Sequence, residues 1–371
     1  MNDALLVLNA GSSSLKFRLF GLTPDLPVIA GGKVSDIGGR PVFQAHGTGD
    51  GTAALPLQAD AGEALAYVLG WLKTHAGQWT LRACVHRIVH GGPDFVRATE
   101  LDRRTVDELR QFNSLVPQHQ AHNLSAIEAL WAEAPRLRQF GCFDTAFHAR
   151  IDPLHRAFAL PADLRNKDIR RYGFHGLSYA WIAHRLKCDH SALSRGRVVA
   201  AHLGNGASLC AMKNGQSIDT TMGLTALDGL PMGTRCGALD PGVVLYMQRN
   251  LNMTPEDVEE VLYNQSGLKG LSGISNDIKT LLASPLPGAA FALDYFALKT
   301  AQQIAAMAIS LGGMDGLVFT GGIGENAAPI RDKILHHLAC LPTFETLIIA
   351  ANEERQMALE IMAAFYQETV S

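Results

Sequence analysis

The chain opens with an apolar run, and its pattern then changes twice within twenty residues. Residues 4–8 are continuously apolar, which predicts a buried strand. Residues 9–14 are mostly small or polar, and residues 15–20 alternate between apolar and basic side chains, as a half-buried strand does. The pattern predicts a strand, a tight turn of glycine and serine, and a second strand.

The same pattern returns in the second half of the chain. Apolar residues 198–203 lead into Gly-Asn-Gly at 204–206, and residues 207–212 are again mostly apolar. Asn-Gly at 214–215 then indicates a further hairpin turn into residues 216–220. One such unit opening each half predicts a duplicated architecture, with a cleft between two related halves.

Helical spacing of apolar residues predicts helices between these units. Residues 61–76 place their apolar side chains on one face. Thr254, followed by Pro255 and two acidic residues, is typical of a helix N-terminus. Residues 291–311 are apolar almost all round, which predicts a central buried helix, and residues 352–367 predict a last amphipathic helix.

Two segments rich in proline and glycine, residues 38–51 and 284–288, are predicted to be surface loops. Because the predicted strands alternate with predicted helices, the expected fold class is α/β. A length of 371 residues, of which 47% are hydrophobic, makes two domains the natural expectation.

Charge and cysteine content narrow the functional classes. The formal net charge of -3 gives no electrostatic reason to bind nucleic acid or an anionic membrane. The 6 cysteines lack a C-x-x-C spacing, which argues against a disulfide framework and a structural zinc site. The sequence has neither an apolar run of ~18 residues nor a basic leader, so we expect a cytoplasmic protein.

Three glycine-rich turns are candidates for binding phosphate. Residues 9–16 combine small residues, hydroxyl donors and one lysine without forming the P-loop pattern, and a polar hairpin is the alternative. Residues 202–208 suit a second phosphate or an ordinary glycine hairpin. Residues 317–326 run from an apolar strand into a glycine-rich turn before a helix predicted at 330–338, whose N-terminus suits a nucleotide. The three turns together are stronger evidence than each alone.

Four side chains are candidates for chemistry. Arg87 ends an apolar run and Arg235 lies close to two glycines, where a planar guanidinium suits an oxyanion, although a structural ion pair is the alternative. Asp144 follows a short apolar strand, a common place for a carboxylate that handles a metal or a proton. His175 lies between an aromatic residue and a glycine, and it is either a core histidine or a functional one.

Eight motifs occur in the order seen in acetate kinases and together span most of the chain. They are the segments at residues 9–16, 86–92, 143–148, 171–176, 202–208, 232–241, 272–277 and 319–326. The chain therefore resembles the acetate and propionate kinase family. The resemblance implies the acetate-and-sugar-kinase/Hsp70/actin fold, in which two duplicated RNase-H-like α/β domains flank a nucleotide cleft.

The resemblance also implies domain bounds and an activity. The first domain is expected at residues 1–145 plus 354–371, and the nucleotide-binding and dimerisation domain at 146–353. The implied reaction is the reversible, Mg²⁺-dependent transfer of a phosphoryl group from ATP to acetate, which gives ADP and acetyl phosphate. Propionate or another short-chain carboxylate is the alternative acceptor, and a homodimer is expected.

The resemblance assigns roles to individual residues. The catalytic group is Arg87, His119, Asp144, His175 and Arg235. Contacts to ATP are expected from Ser12, Lys16, His202, Gly204, Asn205, Gly206, Asp277, Lys279, Gly322, Ile323, Gly324, Glu325 and Asn326. The acyl pocket is expected from Arg87, Val89, Gln118, Phe174 and Ala226, and the metal site from Asn9 and Glu353.

The charges of this set suit the implied reaction. A carboxylate acceptor is already ionised at neutral pH (pKa about 4), so it needs no general base. Arg87 would neutralise the acceptor, while Arg235, His175 and Mg²⁺ would hold charge on the transferring phosphoryl oxygens. Asp144 is then expected to position metal or water, and the two arginines are expected to converge from opposite halves.

Several residues depart from the family pattern. Leu-Ser-Tyr at 177–179 stands where Thr-Ser-His is usual, and Lys279 stands where arginine is common. Arg-Cys-Gly-Ala at 235–238 replaces the usual Arg-Ser-Gly-Asp. In the acyl pocket Gln118 replaces an apolar residue and Ala226 replaces a proline. A smaller wall at Ala226 could admit a longer acid, and one methylene is worth only ~1–3 kcal/mol of discrimination.

Two other functions are open on the sequence. One is a kinase for another acceptor on the same fold, such as a sugar. The other is a non-catalytic, chaperone-like module that binds ATP. Arg87 beside the apolar Val89 favours a carboxylate over a polyol, and a non-catalytic module would not need both Arg87 and Arg235.

Overall fold

The computed structural model describes residues 2–11, 13–117 and 119–370, with side chains described through residue 362. The chain divides into two units, Met1–Ala146 with Asn352–Ser371, and Phe147–Ala351. The described part of each unit is built round one β-sheet.

The first unit has an eight-stranded sheet in the order β5-β4-β3-β2-β1-β6-β8-β7. Its strands are β1 (Asn2–Ala10), β2 (Ser14–Gly21), β3 (Val28–Ser35), β4 (Val42–Gly47), β5 (Gly51–Ala54), β6 (Trp79–Ile88), β7 (Thr99–Glu100) and β8 (Arg138–Phe143). Its helices are α1 (Ala61–His75), α2 (Arg103–Arg110), α3 (Gln120–Glu133) and α15 (Glu353–Val370).

The second unit has a five-stranded sheet in the order β11-β10-β9-β12-β13. Its strands are β9 (Arg197–Leu203), β10 (Ala207–Lys213), β11 (Gln216–Thr220), β12 (Gly316–Thr320) and β13 (Glu345–Ile348). Its helices are α4 (Pro153–Arg156), α5 (Ala162–Arg165), α6 (Gly176–Asp189), α7 (Ser191–Ser194), α8 (Pro241–Asn250), α9 (Pro255–Glu260), α10 (Gly267–Ser272), α11 (Ile278–Ala283), α12 (Pro287–Leu311), α13 (Gly321–Asn326) and α14 (Ala328–His337).

The two sheets repeat one arrangement. In the first unit β3-β2-β1 are antiparallel neighbours, and β6 and β8 then add in parallel. In the second unit β11-β10-β9 are antiparallel neighbours, and β12 and β13 add in parallel. The three predicted hairpins are present, as β1–β2, β9–β10 and β10–β11. The predicted α/β fold with two related halves is confirmed.

Parallel pairing fixes where the candidate side chains lie in each unit. Leu8 of β1 pairs with His86 of β6, and Ile88 of β6 pairs with Phe143 of β8. The carboxyl ends of these three strands therefore meet at one edge of the first sheet, which is where ligands bind in such sheets. In the second sheet Thr320 pairs with His202, so the turns that follow β9 and β12 share one edge.

The two faces of the first sheet are covered differently. Leu6, Leu8 and Cys84 lie on the face where α1 and α3 complete a hydrophobic core. Side chains alternate along a strand, so Arg87 lies on the opposite face, next to the first turn of α15. α15 contacts β1, β6 and β8.

The prediction that residues 38–51 form a loop is wrong, because they contain β4 and the start of β5. Phe43 and Ala45 are buried while Gln44 and His46 are exposed, so the strand follows the usual alternation despite the surrounding glycines. Gly47 has a φ of 114°, and a Cβ there would lie 2.5 Å from the Ile29 carbonyl oxygen. This glycine therefore serves close strand packing.

Two other details also differ from prediction. The helix expected at 291–311 is α12, but it is not buried all round, since Phe291 is 58% exposed and Ile309 81% exposed. Its many alanines give no contrast between faces, so the sequence pattern could not show which side is covered. The glycine-rich turn after β12 is itself the short helix α13. No helix among the described residues is long and apolar enough to cross a membrane.

Candidate active site

Arg87 is the second-last residue of β6 and is held between two carboxylates. Its Nε donates to both oxygens of Asp144 at 3.1 and 3.2 Å, and its Nη2 donates to Asp144 Oδ2 at 2.7 Å. Its Nη1 lies 3.3 Å from Oε2 of Glu353. One edge of the guanidinium therefore grips Asp144 in a fork, and the other end faces Glu353.

The backbone explains how these three residues meet. Asp144 directly follows β8, and its N–H donates to the Ile88 carbonyl at 3.0 Å, so it sits beside the end of β6. Glu353 is the first residue of α15, whose N-terminus is held by Asn352 Oδ1, which accepts from the Arg355 N–H at 3.1 Å. The site combines two strand ends and one helix start from distant parts of the sequence.

Burial makes this cluster electrostatically strained. Burial raises the pKa of Asp144, Arg87 opposes the rise, and Glu353 adds to it. For Arg87, burial alone lowers the pKa, but Asp144 and Glu353 more than offset it, so the guanidinium stays charged. Two carboxylates, Asp144 and Glu353, thus share the Arg87 guanidinium.

Asn9 and Lys16 lie along the same sheet as this cluster. They pair directly across β1 and β2, with Asn9 half-buried and Lys16 exposed. The described residues include no group of three or more His, Cys, Asp and Glu side chains arranged to hold a metal. Mg²⁺ commonly uses only one or two protein carboxylates together with water and phosphate oxygens. The amide and carboxylate oxygens of Asn9, Glu353 and Asp144 suit that ion by their chemistry.

Helix α3 supports the end of β6 through two buried amides that sequence reasoning missed. Asn123 accepts from the Val89 N–H at 3.1 Å and donates to the Ala10 carbonyl at 2.6 Å, which ties β1 to the residue after β6. Gln120 accepts from the His90 N–H at 3.0 Å and donates back to its carbonyl at 2.9 Å. Polar residues at buried positions of a helix were the signal that could have identified them.

Four further residues of this unit were predicted to belong to the site, and two of them lie outside the described residues. His119 is the N-cap position of α3, directly before Gln120, and it makes no side-chain cap there. Val89 is buried. Ser12 and Gln118, expected to contact ATP and the acyl group, lie outside the described residues.

In the second unit, His175 lies at the N-terminus of α6 in a left-handed backbone conformation, with a φ of 56°. Non-glycine residues seldom adopt that conformation, and strained backbone positions cluster at functional sites. Its ring stacks on His202 with centroids 4.3 Å apart. Each ring is held by a serine: His175 Nδ1 lies 2.8 Å from Ser208 Oγ, and His202 Nδ1 lies 2.9 Å from Ser178 Oγ.

A second buried network holds the segment that leads to His175. His148 Nε2 lies 3.0 Å from the Phe174 carbonyl, and its Nδ1 lies 2.8 Å from Ser217 Oγ. Burial lowers the pKa of His148 to about 4, so its ring is neutral and Nε2–H donates to the carbonyl. Cys210 Sγ completes the network at 3.3 Å from Ser217 Oγ. Phe174 is buried, and this network fixes its backbone.

Arg235 is anchored by a residue from the predicted acyl pocket. Its Nη1 donates to the Ala226 carbonyl at 2.8 Å. A Cβ placed on Gly206 would lie 3.5 Å from Arg235 Nη2 and 3.3 Å from His175 Nε2. The glycine therefore lets the backbone turn approach both functional groups, which a larger residue would push apart.

The turn after β9 is tied to two neighbouring segments. Gly204 N–H donates to the Gly206 carbonyl at 3.0 Å, and the Asn205 carbonyl accepts from the Gly233 N–H at 3.0 Å. Asn205 Oδ1 accepts from Asn276 Nδ2 at 3.1 Å. The predicted second phosphate turn, the Arg235 loop and the start of α11 are thus connected.

The remaining predicted nucleotide contacts have local structural roles. Asp277 begins α11 and accepts from the N–H and hydroxyl of Thr280, which lower its pKa. Glu325 Oε1 accepts from the N–H groups of Gly321 and Ala351, at 2.9 and 3.0 Å. Asn326 donates to the Gly322 carbonyl at 2.9 Å. Lys279 and Gly322 are exposed, Ile323 is half-buried and Gly324 is buried.

Comparison with known proteins identifies the class and then the family. The two α/β units repeat one sheet arrangement. An edge of the first sheet carries the guanidinium–carboxylate cluster, and an edge of the second sheet carries the glycine turns. Together with the structural similarity to a known kinase, these features define a kinase with the duplicated actin/Hsp70-like ATPase fold. The Acetokinase family matches residues 4–358. The chain belongs to this family, and it is an enzyme that phosphorylates a carboxyl group.

Individual relatives agree with this assignment. An acetate kinase from Rhodopseudomonas palustris (strain TIE-1) is 48% identical over 349 residues, which are 92% of this chain and 87% of that protein. The crystal structure of a propionate kinase from Francisella tularensis subsp. tularensis SCHU S4 is similar with a TM-score of 0.90 and 32% identity, covering 96% of this chain and 98% of that one. An acetate kinase from Entamoeba histolytica is similar with a TM-score of 0.86 and 28% identity, covering 97% and 99%.

Proposed function

We propose that this enzyme transfers the γ-phosphoryl group of ATP to acetate, reversibly, and forms ADP and acetyl phosphate. The observation that carries the proposal is the arginine at the carboxyl end of β6, gripped by Asp144 and facing Glu353, in a chain of the Acetokinase family. An oxygen of the acceptor carboxylate bonds to the γ-phosphorus as the bond to the β–γ bridging oxygen breaks. ADP leaves with that electron pair, and no proton has to be removed.

We assign the acceptor to the Nη1 end of Arg87. Its Nε–Nη2 edge is already occupied by Asp144, whereas Nη1 makes only the longer contact of 3.3 Å to Glu353 among the contacts described above. Val89 supplies an apolar neighbour for a short acyl chain. Asp144 thereby acts by orienting Arg87, which fits an acceptor that is already ionised.

We assign the transferring phosphoryl group to His175 and Arg235, which both approach Gly206. The turn at residues 202–206, Lys16, and the segments at 277–279 and 322–326 are proposed to contact ATP. Ser12 and His119 keep the ATP-contacting and catalytic roles that the family resemblance implies for them. The N–H and side-chain donors of such turns suit phosphate oxygens, and charged donors stabilise a phosphoryl transition state.

We also propose that Mg²⁺ accompanies ATP and is held by Asn9 and Glu353, with Asp144 close to it. When bound, the ion supplies positive charge to the phosphate oxygens. The two carboxylates that share Arg87 support this assignment, because carboxylate oxygens are common protein ligands of Mg²⁺.

A homodimer in the cytoplasm is proposed as well. Helix α8 supports the dimer, since none of its residues is buried although it carries Val243, Leu245 and Tyr246. We expect sedimentation velocity to give a dimer, and Tyr246→Lys to weaken it. A monomer at micromolar concentration in the unaltered protein would contradict the dimer.

Propionate is the second candidate acceptor, because alanine at position 226 offers a smaller wall than proline. The test of both acids measures rates on formate, acetate, propionate and butyrate with ATP and Mg²⁺, with the acyl phosphate trapped as a hydroxamate. We expect acetate to react fastest and propionate next. Absence of acyl phosphate with all four acids would overturn the proposed function.

A further inference from the structure

A tyrosine with no assigned role reaches the histidine of the candidate site through one serine. Tyr179 is fully buried in α6, and its phenol oxygen lies 2.5 Å from Ser208 Oγ. Ser208 is also fully buried, and its Oγ lies 2.8 Å from His175 Nδ1. The three groups form an unbroken line of hydrogen bonds.

The direction of the hydrogen bonds follows from counting protons and acceptors. Burial raises the pKa of Tyr179 well above 10, so the phenol keeps its proton, and the backbone N–H of His202 is a further donor to its oxygen. Among the described contacts, the Tyr179 proton has Ser208 Oγ as its acceptor. The Ser208 proton is then left with His175 Nδ1 as its acceptor.

Each of the other arrangements leaves one buried hydroxyl proton without an acceptor. If His175 Nδ1–H donated to Ser208, the serine proton would have to go to Tyr179, whose own proton would then lack an acceptor among the described residues. If both neighbours donated to Ser208, the serine proton itself would lack one. A buried polar group left without a partner destabilises the fold. The Tyr179 hydroxyl therefore donates to Ser208 Oγ, and the Ser208 hydroxyl donates to His175 Nδ1.

We infer that Tyr179 is a positioning residue that acts through Ser208 to hold His175 as the neutral tautomer with its proton on Nε2. This inference rests on the proposed function, in which His175 contacts the transferring phosphoryl group. Nε2 is the nitrogen that lies 3.3 Å from where a Gly206 Cβ would be, on the same side as Arg235. With Nδ1 accepting from serine, Nε2 is always a donor, and a donor is what phosphoryl oxygens require.

The stacked His202 ring strengthens the requirement. With centroids 4.3 Å apart, two imidazolium rings would repel each other, so a hydroxyl that donates to His175 keeps the pair compatible. The same line fixes the ring orientation, because it joins Tyr179 of α6 to Ser208 of β10, and Ser208 in turn bonds to the ring of His175, the N-cap of α6.

The test uses Tyr179→Phe, which keeps the ring and removes only the hydroxyl. We expect kcat to fall about 10- to 100-fold, with the KM values for ATP and for the carboxylate changed less than about twofold. Tyr67→Phe is the control, since this exposed tyrosine packs edge-on against Phe43 in the other unit. It should leave kcat unchanged.

A direct readout is the ¹⁵N spectrum of histidine-labelled protein, with the His175 signals identified by their loss in His175→Gln. In the unaltered protein we expect an unprotonated Nδ1 and a protonated Nε2. In Tyr179→Phe we expect protonation to spread to Nδ1. A protonated Nδ1 in the unaltered protein, or a fall in kcat without a change of tautomer, would overturn the inference.

A failure of the variant to fold, and a failure of the proposed function, can each be distinguished from a failure of the inference about Tyr179. If Tyr179→Phe fails to fold, Ser208→Ala removes the middle hydroxyl of the same line. Its kcat and the ¹⁵N spectrum of its His175 are then measured instead. If the unaltered enzyme makes no acyl phosphate, the proposed function fails, whereas the tautomer is still measured. An active enzyme in which neither variant changes kcat would refute the role of Tyr179 alone.

Discussion

Arg87 uses one whole edge of its guanidinium on Asp144, a residue 57 positions further along the chain. The ion pair named as the alternative from sequence is therefore present, but it does not exclude a role in binding. It leaves the Nη1 end towards Glu353 and holds the plane of the guanidinium rigid. A preorganised guanidinium binds an anion at a smaller entropic cost than a mobile one.

Replacing Arg87 by lysine is expected to lower kcat/KM for the carboxylate at least 100-fold, about 3 kcal/mol. Lysine keeps the charge but cannot grip Asp144 in a fork and present a second donor. Steady-state kinetics with the carboxylate varied would measure the change. Arg82→Lys is the control, because this arginine of the same strand makes a half-exposed pair with Asp3. Equal activity of both variants would remove Arg87 from acceptor binding.

Arg235→Ala is expected to abolish turnover and to leave ATP binding largely intact, because Arg235 is assigned to the transferring group. Calorimetry with ATP and the hydroxamate assay would measure the two properties separately. Arg195→Ala, an exposed arginine in the same unit, is the control. Near-normal turnover in Arg235→Ala would show that this guanidinium takes no part in the reaction.

Ala226→Pro is expected to shift preference from propionate towards acetate, by up to about 3 kcal/mol in the ratio of kcat/KM values. The carbonyl that anchors Arg235 is retained in proline, so activity on acetate should survive. Competition between the two acids in one assay gives the ratio directly. An unchanged ratio would mean that this wall does not set acyl chain length.

Stability is expected to rise with pH between about 4 and 6.5 because of two buried histidines. Burial lowers the pKa of His86 and of His148 to about 4, against 6.5 for the unfolded chain. In that window the unfolded state binds more protons, so raising the pH favours folding until about 6.5, by up to ~1.4 kcal/mol per pH unit for each histidine. Asp144, whose pKa is raised, has the opposite and partly cancelling effect.

Urea midpoints measured across this range test the assignment. His86→Gln is expected to flatten the dependence by about half, since Gln139, 2.6 Å from the ring, can still bond to an amide. His122→Gln, which replaces a half-buried histidine on α3, is the control. An equally steep dependence in His86→Gln would locate the titration elsewhere.

The positions of the hairpins and of several helices could be predicted from sequence, because a period of two, helical spacing and capping residues are local properties. Thr254 is the N-cap of α9 as expected, and in the structure it forms a capping box with Asp257. The prediction of a loop at residues 38–51 was wrong for a local reason as well. The glycines of this segment obscured the alternation of buried and exposed side chains along β4 at residues 43–46.

The sequence by itself determined the α/β class, the family and the candidate residues, since those depend on motifs read in order. Only the tertiary structure decided that Arg87 is shared by Asp144 and Glu353, that Asn123 joins β1 to β6, and that Tyr179 reaches His175 through Ser208. The physical reason is that burial and hydrogen-bond direction arise between segments far apart in the chain, where no periodicity relates one partner to the other.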